Sequence, residues 1–133
     1  ILIETVFDTL NAKAAIDATM EVGRRTGKDL PIMLSITVSD LAGRTLSGQT
    51  LDAVLASVSS YPIFSIGLNC SFGADQMKPF LKQLAHRAPY YIRASPNAKQ
   101  PKRSGANDET PESVAPQIQA FIEEGLVNVI GGC

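Results

Sequence analysis

A chain of 133 residues is sized for one domain, spanning 1–133, and its 44% hydrophobic content is ordinary for a globular fold. Twelve basic against thirteen acidic residues leave almost no net charge, so nothing electrostatic favours nucleic acid or an anionic membrane surface. No apolar run approaches the roughly 18 residues needed to cross a bilayer. Two cysteines are too few for a disulfide scaffold and nothing points to an oxidising compartment, which makes a cytoplasmic location the expectation.

The chain opens without a methionine, inside a strand-like run, Ile1-Leu2-Ile3-Glu4-Thr5-Val6-Phe7. Its β-branched, apolar character suits a strand covered on both faces. A helix is predicted from about Thr9 to Arg25, with Gly27 as its stop signal, a polar stripe of Lys13, Asp17, Glu21 and Arg24, and an alanine-rich opposite side for close packing on a sheet. Pro31 to Thr37 reads as the second strand. A loop from Val38 to Gly48 leads to a second helix with apolar positions Leu51, Val54, Leu55 and Val58.

Ile63 to Leu68 reads as the third strand, with Asn69 and Cys70 at its C-terminal end. The third helix is expected from Asp75, as N-cap, to His86, with Pro79 near its first turn. Tyr90 to Ser95 is the fourth strand, followed by a polar loop, Pro96 to Glu109. Thr110-Pro111 opens the fourth helix, whose buried stripe is predicted as Ile118, Phe121, Ile122 and Gly125. Pro116 predicts a late start or a kink there. Leu126 to Ile130 is the fifth strand, and the chain stops at Cys133 with no helix after it. Both ends read as cut.

The βαβαβαβαβ alternation predicts a parallel sheet with right-handed crossovers, either an open doubly wound sheet or part of a (β/α)₈ TIM-type barrel. The barrel is favoured because Cys70 and Cys133 follow strands 3 and 5, at the end where a barrel clusters its active site. An open sheet would splay them apart. Both loops of unusual length, Val38–Gly48 and Pro96–Glu109, lie on that same face.

Each chemically capable residue also has a plainer reading. Cys70 and Cys133 are either buried reduced thiols or ligands of a metal on the barrel rim; two thiolates alone do not complete a zinc site. Glu4, in an apolar strand, either faces the barrel mouth and binds a cation or is satisfied by a neighbour such as Arg44 or Arg93. Asn69 serves as a turn residue or a ligand donor. His86, in the last turn of the third helix, sits at the opposite face, where a Cys–His nucleophilic pair is excluded. Gly43-Arg44-Thr45-Leu46-Ser47-Gly48 lacks the Gly-Lys-Ser/Thr ending of a phosphate-binding loop.

Several blocks in order closely resemble the homocysteine-binding (homocysteine S-methyltransferase) domain of cobalamin-dependent methionine synthase. They are Ile1 to Lys13, Gly43 to Gln49, Gly67-Leu68-Asn69-Cys70, Pro96-Asn97-Ala98, Asp108 to Glu112 and Gly125 to Cys133. The resemblance implies a (β/α)₈ barrel of which this chain covers about strands 4 to 8. It implies that Cys70 and Cys133 are zinc ligands, with a third cysteine directly after Cys133 in the family pattern, and that Glu4, with Asn69 beside it, binds substrate. Zinc would hold homocysteine as thiolate for attack on the methyl group of methylcobalamin, carried on a separate domain. Cobalamin-binding and folate-binding domains of a full-length enzyme are the implied partners. Lys99-Gln100 and Asn107 depart from the family pattern within the long loop. Two alternatives stand beside this reading: a cobalamin-independent homocysteine methyltransferase using betaine or S-methylmethionine, and a non-catalytic barrel fragment.

Overall fold

The computed structural model describes residues 1–98 and 109–133. Five strands alternate with four helices: β1 (Leu2–Val6), α1 (Thr9–Thr26), β2 (Ile32–Ile36), α2 (Leu51–Val58), β3 (Ile63–Asn69), α3 (Ala74–Arg87), β4 (Tyr91–Ser95), α4 (Pro111–Glu123) and β5 (Val129–Ile130). All neighbours pair in parallel, in the order β1-β2-β3-β4-β5. A doubly wound sheet reverses its strand order at a switch point. These five strands have no such reversal, and their sequential order is compatible with part of a TIM-type barrel. No helix among the described residues is long and apolar enough to cross a membrane.

The register sorts the side chains into two faces. Leu34, Ile66 and Ile92 stand side by side, as do Ile36, Leu68 and Ala94. These residues and the inward positions of the helices, among them Ile16, Val54, Leu81 and Phe121, form one buried apolar cluster. One residue along each strand, the other face carries Ser35, Gly67 and Arg93, with Asn69 paired to Ser95 one step further on.

Local chemistry explains most helix ends. Asp8 accepts from the backbone N–H groups of Leu10 and Asn11, at 2.8 and 3.1 Å, and starts α1; Gly27, at φ 65°, closes it in the left-handed conformation that glycine adopts without penalty. Thr50 caps α2. Thr110 and Ser113 form a reciprocal capping box on α4, with Pro111 just inside it.

Some local expectations are corrected. The N-cap of α3 is Gly73, and Asp75 falls within the first turn, where its charge still complements the exposed N–H groups. Starting at Ala74, α3 runs through Pro79 at its sixth residue, beyond the first turn. Likewise α4 starts at Pro111 and continues through Pro116, without a late start. Phe121 is the buried anchor of α4, while Ile122 is 60% exposed, because α4 rests chiefly on α3 and buries a narrow stripe. The second half of α1 is also open, with Met20 and Val22 at 42% and 50% exposure. The fifth strand is shorter than expected: Asn128 takes a ladder position with its side chain, its Oδ1 accepting from Ile92 N–H at 2.8 Å.

Candidate functional site

β4 is the template that brings the two cysteine segments together. Beyond its end the chain continues extended, and on one side Cys70 N–H donates to Ser95 O at 3.2 Å while Asn97 N–H donates to Phe72 O at 3.0 Å. On the other side Gly131 N–H donates to Ala94 O at 2.8 Å and Cys133 N–H to Pro96 O at 3.2 Å. Strands separated by one neighbour lie about 9–10 Å apart in a flat sheet, yet the Cα atoms of Cys70 and Cys133 are 5.6 Å apart. Their sulfurs are in contact, joined as a disulfide. The sequence reading had them as free thiols or thiolates. Neither is buried, so the buried-thiol alternative fails: Cys70 is half-buried and Cys133 exposed.

Backbone conformation aims Cys70. Cys70 and Ser71 both take positive φ, 56° and 61°, a sparsely populated region for residues with a Cβ. The sharp turn thus falls on the cysteine and the serine after it.

A second distortion lies across the polar face. Between the paired positions Ile3–Leu34 and Val6–Ile36, β1 carries two residues, Glu4 and Thr5, where β2 carries only Ser35. This is a β-bulge, a device that re-aims side chains at functional rims. Thr5 sits at φ 60°, costly for a β-branched residue. Asn69 holds it there: Asn69 Oδ1 accepts from Thr5 N–H at 3.2 Å, and Asn69 Nδ2 donates to Thr5 Oγ1 at 3.0 Å. The same amide accepts from Ser35 Oγ at 2.8 Å and donates to Cys70 Sγ at 3.2 Å. Asn69 is 1% exposed, and both ends of its amide are committed within the protein.

Glu4 projects from the bulge with its side chain 42% exposed. Of the two arginines considered for it, Arg93 is the partner, donating from Nη1 to Glu4 Oε1 at 3.2 Å. Arg44 pairs with Asp40 at 2.9 Å, and its backbone N–H holds the Asp40 carboxyl below the usual range. A hollow lined by Glu4, Thr5, Phe7, Asp8 and Asn11 opens beside the bulge. The Gly43–Gly48 segment stitches the loop to β1, with Ser47 Oγ donating to Phe7 O at 2.7 Å. His86 is exposed in the last turn of α3, away from the cysteines. Part of the long loop, residues 99–108, and with it the departures at Lys99, Gln100 and Asn107, lies outside the described residues.

Four residues singled out in the sequence, Glu4, Asn69, Cys70 and Cys133, therefore meet at one end of the sheet. Thr5, Ser35 and Arg93, which tie them together, were missed or left as one option of two. The only sequence signal for Arg93 was a charged residue in the middle of an apolar strand. Among the described residues no group of three or more His, Cys, Asp or Glu side chains is arranged to hold a metal. The chemistry of the converging pair is soft and thiophilic; once reduced, two sulfurs this close fit part of a zinc ligand set.

The sequence matches the family model for homocysteine S-methyltransferase over residues 1–133. The fold is similar to that of the homocysteine methyltransferase MmuM from Escherichia coli. The apo form is 22% identical, with a TM-score of 0.65, over 99% of this chain and 43% of that one. The metallated form is 24% identical, with a TM-score of 0.59, over 89% of this chain and 35% of that one. The chain thus spans less than half the length of these solved relatives.

Proposed function

The chain belongs to the homocysteine S-methyltransferase family, and from that premise we propose that it forms the substrate-binding and metal-binding rim of a zinc-dependent homocysteine methyltransferase of the methionine synthase type. The single observation that carries this reading is the convergence of Cys70 and Cys133, with Cα atoms 5.6 Å apart, where the amide that bonds Cys70 also anchors the Glu4 bulge. The chain then supplies about strands 4 to 8 of a (β/α)₈ barrel. The sequential strand order and the short coverage of the relatives support this. The cobalamin-binding and folate-binding domains belong elsewhere in the full-length enzyme.

Homocysteine carries a thiol with a reference pKa of about 8.5, mostly protonated and weakly nucleophilic at neutral pH. The reduced Cys70 and Cys133 sulfurs, with a further ligand, would hold zinc, which when bound would supply the Lewis acidity that favours this thiol's deprotonation. Glu4 takes the substrate's ammonium group, placing an anionic carboxylate at the mouth of the sheet. Asn69 holds Thr5 and Cys70 in fixed relation, so the amine and sulfur ends of the substrate are registered against each other. Ser71, at positive φ, keeps the chain after Cys70 turned off the strand line. The methyl donor is methylcobalamin.

The test uses the complete enzyme. Cys70→Ser replaces an anionic sulfur with a neutral hydroxyl, and both zinc retention and methyl transfer should be lost. Retained zinc and activity in that variant would sink the assignment. Assays of the wild type with methylcobalamin, betaine and S-methylmethionine separate the donor question; turnover with either sulfur- or nitrogen-borne methyl group alone would remove the cobalamin reading and leave the zinc site standing.

A further inference from the structure

We propose that Arg93 is a positioning residue for Glu4, and that Gly67 is the gap in β3 through which it reaches. This rests on the reading of Glu4 as the ammonium site and adds what aims it. Arg93 lies on β4, whereas its partners Ser35 and Glu4 lie on β2 and β1. The strand between, β3, carries Gly67 in the same register as Ser35 and Arg93. A Cβ at Gly67 would run into the Arg93 backbone carbonyl and stand 2.7 Å from the Arg93 Cβ. The side of the guanidinium facing β5 is close as well, though less so: a Cβ on Gly131 would meet Ser95 Oγ first, at 2.6 Å, and stand 3.3 Å from Arg93 Nη2. Glycine on both flanks leaves a lane one arginine wide.

Within that lane Nη1 donates to Ser35 Oγ and to Glu4 Oε1, each at 3.2 Å. The arginine side chain is 11% exposed and the glutamate 42%. The cation is therefore sunk in the polar face, and the carboxylate stands over it toward solvent. Glu4 Oε2 makes no hydrogen bond among the described residues, so one oxygen is pinned and the other is presented. A charge-assisted bond to one oxygen fixes a side chain that otherwise samples many rotamers, and a ligand ammonium then meets a carboxylate already ordered. Because Ser35 also donates to Asn69, the aim of Glu4 is referred to the same amide that touches Cys70. The arrangement selects thiols that carry an amino group at the far end from the sulfur.

The experiment compares two ligands on the complete enzyme: homocysteine and 4-sulfanylbutanoic acid, which keeps the thiol and carboxylate but lacks the amino group. Arg93→Gln should weaken homocysteine about tenfold, the weight of one charge-assisted hydrogen bond. It should leave the amine-free ligand and the zinc content unchanged. Arg93→Lys should recover part of the loss, since a point charge replaces a planar fork. Combined with Glu4→Gln, the two losses should be far from additive. Equal weakening of both ligands, or additive losses, would mean that Arg93 only supports the fold, and would overturn the proposal. If Arg93→Gln does not fold, Ser35→Ala removes one partner of Nη1 while keeping the charges; it should weaken homocysteine alone, and equal weakening of both ligands again overturns the idea. Should Glu4→Gln bind homocysteine normally, the ammonium reading itself fails and takes this proposal with it. A defect in Glu4→Gln with none in either Arg93 variant overturns only the role of Arg93.

Discussion

On the helix-covered face of the sheet, Leu34, Ile66 and Ile92 lie side by side with exposures from 0 to 4%, while one residue along the same strands the other face carries Ser35, Gly67 and Arg93. The first is held by non-directional burial, where side chains of similar volume substitute for one another at modest cost. The second is held by directional bonds among Asn69, Ser35, Arg93 and Glu4, each of which fixes an angle as well as a distance. A sheet built this way separates stability from function: one face keeps the strands together, and the other uses that rigidity to hold a carboxylate and two sulfurs in register.

The largest expected effect breaks the apolar side of that comparison. Leu34 is fully buried at the centre of the cluster, so Leu34→Ala should cost about 3 kcal/mol, from lost transfer energy and the cavity left behind. Urea unfolding of the complete protein measures this. The folded fraction should still retain zinc and bind homocysteine normally, because no hydrogen bond of the polar face passes through Leu34. A matched loss of ligand affinity would show that the two faces are not separable.

Asn69→Ala tests the other face and should be milder in stability but harsher in function. It removes the acceptor of Thr5 N–H and of the Ser35 O–H, whose oxygen still receives Arg93, and leaves Thr5 at φ 60° without its clamp. Ser35 is buried and Thr5 is exposed, so the Ser35 O–H carries most of the penalty, about 1–3 kcal/mol for an unsatisfied buried group. Zinc retention and homocysteine affinity should both fall, since the amide spans Cys70 and the bulge that bears Glu4. If Asn69→Ala loses stability alone, as Leu34→Ala is expected to, Asn69 is only a core polar residue.

How far each face was legible in the sequence follows the same division. Apolar period and punctuation are local, and they located every strand and helix of the described chain, with Gly27 and Pro111 marking their helix ends as expected. The meeting of the cysteines was legible too, because strand ends 3 and 5 share one rim in a sequentially ordered parallel sheet. The wiring of the polar face was not. Asn69 reaches Thr5 across 64 positions, and Arg93 reaches Glu4 across 89. Choosing Arg93 over Arg44 requires the register, which no local pattern encodes. The positive φ values at Thr5, Cys70 and Ser71 fall on residue types that give no warning of them. Ile122 misled for the opposite reason: its helical spacing is right, but Phe121 takes the buried position and Ile122 stays 60% exposed.

The smallest expected effect lies on neither face and sets the baseline for both. Glu124 caps the C-terminus of α4, where a negative charge opposes the helix dipole. Lys78 and Lys82 of α3 pair with it, Lys82 at 3.0 Å, and their hydrogen bonds, Lys78 first and then Lys82, lower the Glu124 carboxyl below its ordinary value. A carboxyl lowered in the folded state stabilises that state above its unfolded pKa, about 4.3 for a glutamate. The contribution is lost as pH falls through the folded value. Glu124→Gln in the complete protein should therefore be slightly less stable than wild type at neutral pH, with the gap closing as pH drops below the ordinary glutamate range. Added salt should narrow the gap at neutral pH, since the pair is open to solvent. Thermal melts across the acid range at low and high salt check both trends. Homocysteine affinity should not move at any pH where both proteins are folded, because the pair braces α3 to α4 and bonds to nothing on the polar face. A gap that stays constant through the acid range would show that Glu124 acts by helix capping instead of by its charge.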